Sequence, residues 1–235
     1  MNVIKNIFGS SLGKKYIMAI SGGAMFLFVV GHLVGNLQIF LGPEAINRYG
    51  HFLQSNIEII WPARITMLAM IGLHVWSATR LAAENQAARP EGYVNWQPNS
   101  ASYASRTMVM SGLIIAAFIV YHLLHYTVMV KAINLTGQDF HTLTDAEGRH
   151  DIYKMIIVGF SKPVVSLFYV VAIGLLSLHL SHGVCAMFQS LGLKNHTYGP
   201  LIDKGAKVIA LAIFLGYVSI PIAVLLGLGH GGLSK

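Results

Sequence analysis

Charge is scarce in this chain. Aspartate, glutamate, lysine and arginine make up 11% of its 235 residues, where soluble domains carry roughly a quarter. That deficit excludes an ordinary soluble globule. Cysteine is scarcer still. Cys185 stands alone, so the chain closes no internal disulfide and builds no iron–sulfur cluster of its own. Its position inside an apolar run makes it a small packing residue. No glycine-rich phosphate loop follows a strand, and no cysteine–histidine spacing reads as a zinc site. No self-similarity appears at the periods of about 20–50 residues that mark helical repeats.

Long apolar runs fill the space. Hydrophobic residues make up 54% of the chain, concentrated in five stretches at about 16–41, 60–83, 107–130, 163–188 and 206–229. A membrane-spanning helix needs roughly 20 mostly apolar residues, and all five qualify. They are too long and too uniformly apolar for surface helices. The first is too long for the core of a cleavable leader, and Met1–Lys15 reads as an interfacial lead-in. The expected fold is all-α: a single domain over 1–235, built as a five-helix transmembrane bundle.

The charges that remain sort by side. The N-terminal stretch and the loops at 80–106 and 190–207 hold nine basic residues (Lys5, Lys14, Lys15, Arg80, Arg89, Arg106, Lys194, Lys204, Lys207) against Glu84, Glu91 and Asp203. The opposite side holds seven basic residues (Arg48, Arg64, Lys131, Arg149, Lys154, Lys162, Lys235) against six acidic ones (Glu44, Glu58, Asp139, Asp145, Glu147, Asp151). The basic-rich side is cytoplasmic by the positive-inside rule. The N-terminus is then inside and the C-terminus outside. The net charge of +7 is absorbed by this asymmetry, and no nucleic-acid partner is expected.

Four histidines lie deep in the first four runs: His32, His74, His122 and His179. An imidazole in the bilayer core is costly without a partner and marks a functional site by default. His32 and His122 each sit about 16 residues from the inner end of their runs, roughly 24 Å at 1.5 Å per residue, in the outer half. His74 lies six residues before Arg80, roughly 9 Å from the inner end, and His179 also falls in the inner half. The depths pair His32 with His122 and His74 with His179, with a vertical separation on the order of 10–15 Å. A single histidine of this kind often only hydrogen-bonds a neighbouring helix. Four at two depths, one per run and none in the fifth, point instead to two buried metal centres, and haem held by two histidines fits such pairs. Gly31, Gly35, Gly72 and Gly183 lie beside them, where a missing Cβ lets a flat macrocycle or another helix approach. His125 and His182 compete as ligands, each three residues on and on the same helix face as His122 and His179. Periodicity does not choose between them. Ligand imidazoles need orienting partners, which backbone carbonyls or Ser and Thr hydroxyls would supply.

The segments FLFVVGHLVGNLQIFLG (26–42), LHVWSATRL (73–81), MSGLIIAAFIVYHLLHYT (110–127) and HLSHGVCAMFQSLG (179–192) resemble, in order, the haem-bearing helices of the dihaem cytochrome b subunit of succinate dehydrogenase and quinol:fumarate reductase, the b558-type anchor of respiratory complex II. The likeness covers nearly the whole chain, and the last segment places Gly183 four residues after its histidine, as in that family. The resemblance implies five helices and two haem b groups. It implies His32 and His122 as ligands of the outer haem iron and His74 and His179 as ligands of the inner one, in preference to His125 and His182. It also implies a quinone, expected to be menaquinone, as substrate, in the bacterial cytoplasmic (inner) membrane. One departure concerns protons. Some fumarate reductases carry a Glu two residues before the last ligand, and Ser177 stands there.

Two axial imidazoles fill both open positions of a haem iron, so such a haem carries electrons rather than activating a ligand. Haem propionates need cations near the membrane faces. Arg80 is the candidate for the inner haem through a bidentate contact, with Arg48, Arg64 and Lys162 the weaker outer candidates. Quinone chemistry also needs proton-exchanging groups, and Glu58, His51 and His150 are the outer candidates. A short amphipathic helix is expected near DIYKMIIVGF (151–160), and the inner loop 84–103 reads as a docking surface. Nothing in the chain can oxidise succinate, so the resemblance implies an FAD-containing flavoprotein subunit and an iron–sulfur subunit as partners on the cytoplasmic side, with membrane lipid around the helices. Two other readings share some features: a dihaem cytochrome b serving a hydrogenase or formate dehydrogenase, and a haem-free transporter or anchor.

Overall fold

The computed structural model describes residues 3–88 and 103–229, with side chains from residue 6. Most of the 84–103 loop, and Arg89, Glu91 and Lys235 of the charge count, lie outside the described residues. The helices run α1 Val3–Gly9, α2 Ser11–Leu37, α3 Pro43–Ser55, α4 Ile57–Ala87, α5 Tyr103–Arg106, α6 Met108–Tyr126, α7 Ile152–Phe160, α8 Pro163–Ser190 and α9 Gly199–Leu225. Among the described residues there is no strand, only an isolated bridge between Thr144 and His150. Five helices (α2 with its 3-10 extension to Leu41, α4, α6, α8 and α9) are long and apolar enough to cross a membrane. The chain is thus an all-α protein with five candidate spans, compatible with a multi-pass membrane protein. Large apolar side chains stand exposed along them, among them Leu27, Leu68, Leu113, Val164 and Leu215. In water such faces would associate; in lipid they are the solvated surface.

Local chemistry sets the boundaries. Ser10 Oγ accepts the Gly13 amide at 3.0 Å and caps the start of α2. The span ends in a 3-10 turn, Gln38–Leu41, then Gly42 at φ 99° and Pro43 at the head of α3. Positive φ suits glycine, and a proline costs no hydrogen bond in a first turn. Several spans differ from the hydropathy boundaries: the first starts at Ser11 rather than near 16, the second covers Ile57–Ala87 rather than 60–83, and the third and fifth differ for local reasons. The third stops at Tyr126 rather than near 130. There the Val128 and Val130 amides reach back to the Leu123 and Leu124 carbonyls, and Met129 takes φ 55°. The apolar residues beyond Tyr126 thus form a turn that hydropathy alone reads as helix. The fifth begins at Gly199 rather than near 206, because Asn195 Oδ1 takes the Tyr198 amide and starts the helix in polar sequence.

The chain forms two compact units. Unit 1 comprises Met1–Val29, Ala63–Gly112 and Leu178–Ala210. In it the Lys14 ammonium, 3% exposed, meets Glu84 at 2.8 Å and the Gly9 carbonyl at 2.9 Å. A buried cation persists when paired and hydrogen-bonded in this way. Lys194 and Asp203 pair at 2.6 Å, and Phe8 packs on Trp76.

Unit 2 comprises Val30–Pro62, Leu113–Ser177 and Leu211–Lys235. Its core joins Ile39, Ile46, Phe118, Ile157, Phe160 and Val224. The expected short helix near 151–160 is present as α7, with Lys154 exposed. Met155 to Phe160 are buried without interruption, because α3, which hydropathy does not reveal, packs against it. A Cβ on Gly50 of α3 would overlap the Ile152 side chain.

A polar knot fastens this segment. Arg149 reaches Glu44 on α3 at 2.6 Å, Asp145 at 2.7 Å and Glu147 at 2.9 Å. Asn47 donates to Asp145 and Asp151 and accepts the Tyr153 amide, while Asp151 caps α7 through the Lys154 amide. The Arg149 hydrogen bond holds the Glu44 carboxyl below its usual range. Desolvation pushes Asp145 upward, but the bonds from Arg149 outweigh it and the net shift is downward. Depressed carboxylates stabilise the fold above their unfolded pKa, and that contribution fades as pH falls through the folded value. The knot is therefore intact at neutral pH and loosens below about pH 4, where ordinary carboxylates titrate. Arg149→Ala is expected to bring the acid behaviour to neutral pH. Hydrogen exchange at the Tyr153 and Lys154 amides should rise in the variant, and unchanged protection there would show that the knot does not hold α7.

Candidate haem-ligand sites

Each unit brings one histidine pair together. In unit 1, His74 from α4 faces His179 from α8 with ring centroids 6.4 Å apart. In unit 2, His32 from α2 faces His122 from α6 at 5.9 Å. Two imidazoles sharing one metal ion through nitrogens at about 2.0–2.1 Å have centroids roughly 6 Å apart. Both separations fit a shared ion. The planes stand at 61° and 85°, so neither pair is stacked. All four rings are half-buried.

Hydrogen bonds fix which nitrogen is free. His74 Nδ1 lies 3.2 Å from the Met18 carbonyl. A carbonyl only accepts, so Nδ1 carries the proton and Nε2 keeps its lone pair. Ser21 Oγ sits 3.3 Å from the same Nδ1 and gives its own proton to the Ile17 carbonyl at 2.6 Å. His179 Nδ1 lies 3.2 Å from Ser111 Oγ, whose proton goes to the Met108 carbonyl. Ser111 is therefore free to accept from that Nδ1. In unit 2, His122 Nδ1 lies 3.4 Å from the Tyr169 hydroxyl. His74 thus presents a free Nε2, and the Ser111 and Tyr169 contacts are compatible with the same tautomer at His179 and His122.

The competing histidines are placed differently. His125 is fully buried, stacked on Tyr126 at 3.9 Å, with Nδ1 3.0 Å from Tyr169 Oη. Its Nε2 is buried and has no hydrogen-bond partner. Its ring packs among Tyr121, Tyr126, Phe140 and Tyr169; the His122 ring also lies among aromatics, Phe118, Tyr126 and Tyr169, and in addition meets His32. His182 is half-buried on α8.

The glycines divide. A Cβ on Gly31, Gly72 or Gly183 would meet nothing within 4 Å, so open space lies over each, and Gly31 and Gly72 are exposed. Gly35 does not offer such space: a Cβ there would lie 2.8 Å from the Tyr49 ring, so it serves packing between α2 and α3. Gly22 and Gly112, which sequence did not single out, lie against His74 and His179. A Cβ on Gly22 would come within 3.1 Å of His74 Cε1 and one on Gly112 within 3.6 Å of His179 Cε1. Ser21, Ser111, Met18 and Tyr169 were also not singled out. Pairing Ser21 with His74 and Ser111 with His179 requires knowing which helices neighbour one another.

Arg80 is exposed on α4 and its guanidinium has no partner among the described residues. Glu58 is exposed in the first turn of α4 and His51 is exposed on α3. His150 is half-buried in the loop before α7, with a buried, unpartnered Nε2. Burial holds its imidazole below the usual pKa, opposed by the Leu143 backbone and Asp151. Among the described residues no hydrogen bond or ion pair joins Glu58, His51 and His150 to one another. Compared with family models, curated proteins and solved structures, the chain matches none.

Proposed function

We propose that the chain is a dihaem cytochrome b, the membrane-anchor subunit of a succinate:quinone oxidoreductase. The observation that carries this reading is the pair of facing imidazole couples, at 5.9 and 6.4 Å, with Nδ1 of His74, His179 and His122 each facing a carbonyl or hydroxyl oxygen. Haem iron held by two imidazoles supplies one-electron transfer and has no open position for a substrate. His32 and His122 hold the outer group, and His74 and His179 the inner one. Met18, Ser21 and Ser111 keep the unit 1 imidazoles in the ligating tautomer. Arg80 binds a propionate of the inner group. The bundle lies in a bacterial cytoplasmic membrane with its N-terminus inside and its C-terminus outside. An FAD-containing subunit and an iron–sulfur subunit dock on the cytoplasmic side and carry the dicarboxylate chemistry that this chain lacks. Electrons pass between them and a membrane quinone, expected to be menaquinone.

Affinity purification of the tagged chain from its native membrane tests the assignment. A covalent-flavin subunit and an iron–sulfur subunit should copurify, and succinate should reduce the haem. Copurification with a hydrogenase or formate dehydrogenase module instead would reassign the partner while keeping the cytochrome.

The quinone site is proposed near the outer haem, with Glu58 as its proton-exchanging group and His51 and His150 as neighbouring candidates. Exposure of Glu58 at the head of a span is what supports this. In the assembled complex, Glu58→Gln should lower quinone-linked turnover by about 10²-fold, the lower range for a general acid–base group. Haem content and succinate oxidation by an artificial acceptor should stay intact. Unchanged quinone kinetics would remove Glu58.

A further inference from the structure

We propose that Tyr169 is a positioning residue for His122: its phenol oxygen takes the His122 Nδ1 proton, orients that imidazole toward His32, and so sets the potential of the haem the two histidines hold. The proposal rests on the dihaem reading above and goes beyond it to a residue that touches no iron.

Proton counting carries the argument. Tyr169 Oη lies 3.0 Å from His125 Nδ1 and 3.4 Å from His122 Nδ1. A phenol has one proton to give and lone pairs to accept with. Tyr169 is 6% exposed, so water does not relieve an unmade bond, and a buried donor left unmade is costly. If both histidines donated to the oxygen, two buried groups would be left unmade, the phenol proton and the His125 Nε2 lone pair, whereas a phenol that donates to His125 leaves only the His125 Nε2 proton without a partner. A His122 that binds through Nε2 carries its proton on Nδ1 and must donate. The phenol therefore donates to His125, by the shorter contact, and accepts from His122.

Packing keeps the oxygen there. Phe160 meets the Tyr169 ring edge-on at 4.9 Å and Phe118 at 5.1 Å. His125 is fixed in turn by its stack on Tyr126. Its unpartnered Nε2 carries the proton that this arrangement assigns to it. His125 is then the acceptor that points the phenol, which gives a buried histidine outside the iron's reach a purpose. The two sites differ in this respect, since Met18 and the two serines take the protons in unit 1.

An acceptor on Nδ1–H raises the electron density of the ligating nitrogen and favours ferric over ferrous iron. Losing it should raise the potential of that haem alone. Orienting partners of metal-bound histidines typically change metal affinity by about 10–100-fold. A tenfold change in ferric-over-ferrous preference is about 59 mV for one electron.

The test is a redox titration of the purified complex, resolved by haem, for the unsubstituted protein, His122→Ala and Tyr169→Phe. Tyr169→Phe should retain two haems. The haem whose spectrum is lost in His122→Ala should titrate at least about 59 mV higher, and the other should not move. If Tyr169→Phe fails to assemble, 3,5-difluorotyrosine at position 169 keeps the packing and weakens the acceptor, and the same haem must move in the same direction. Unmoved potentials, or equal movement of both haems, would overturn the positioning role while leaving the dihaem assignment in place. An unsubstituted protein without haem, or a His122→Ala variant that keeps both bis-histidine spectra, would overturn the assignment itself and the proposal with it.

Discussion

His74→Ala is expected to remove the inner haem and leave most of the outer one. On the dihaem reading the substituted side chain is one of the two iron ligands of unit 1. His179 remains, held by Ser111, and a single imidazole leaves an axial position open. Changing a mere orienting partner costs about 10–100-fold in metal affinity, so loss of the ligand itself should exceed that. His32 and His122 belong to unit 2 and keep their facing geometry. Haem extracted per chain should approach half of the unsubstituted value, with one of two spectral components gone. Full retention of both components would show that His74 is not a ligand. The Ser21 hydroxyl and the Met18 carbonyl lose the imidazole in this variant, but both retain bonds within α2.

The second large effect separates true ligands from their neighbours. His122→Ala and His179→Ala should each lose one bis-histidine spectrum, whereas His125→Ala and His182→Ala should retain both haems. His125 needs a companion substitution, because it is fully buried and alanine leaves a cavity worth on the order of 2–5 kcal/mol for a large side chain. His125→Phe keeps a ring against Tyr126 and avoids that cavity, but it removes the Nδ1 that faces the Tyr169 hydroxyl, and the unmade buried bond costs about 1–3 kcal/mol. Both haems should survive in that variant, with a moved potential at the outer one. Loss of the bis-histidine signal in His125→Phe, with His122→Ala unaffected, would exchange the two assignments.

Much of the bundle was legible because its signal is collective. Each span carries some twenty apolar residues, and no single substitution hides it. The histidine pairing was legible for the same reason: depth along a straight helix follows from 1.5 Å per residue. What lay outside sequence reasoning was lateral. Gly22 and Gly112 touch His74 and His179 only because α2 and α6 pass beside those rings, and Ser21 and Ser111 meet imidazoles 53 and 68 residues away along the chain. Helix α3 was missed because its apolar content is modest and its partner α7 supplies the burial. Gly42–Pro43 with Glu44 in the first turn was the available start signal. The end of the third span was misjudged because Val128, Met129 and Val130 are as apolar as the helix before them. Their turn is set by hydrogen bonds back to Leu123 and Leu124, which hydropathy does not register.

The central claim is that each chain holds two haems between four named histidines. Pyridine-haemochrome quantitation against protein, combined with a reduced-minus-oxidised spectrum of the fully loaded complex, tests it most directly. The account predicts two b-type haems per chain, both low-spin. One haem per chain, or none, would contradict it.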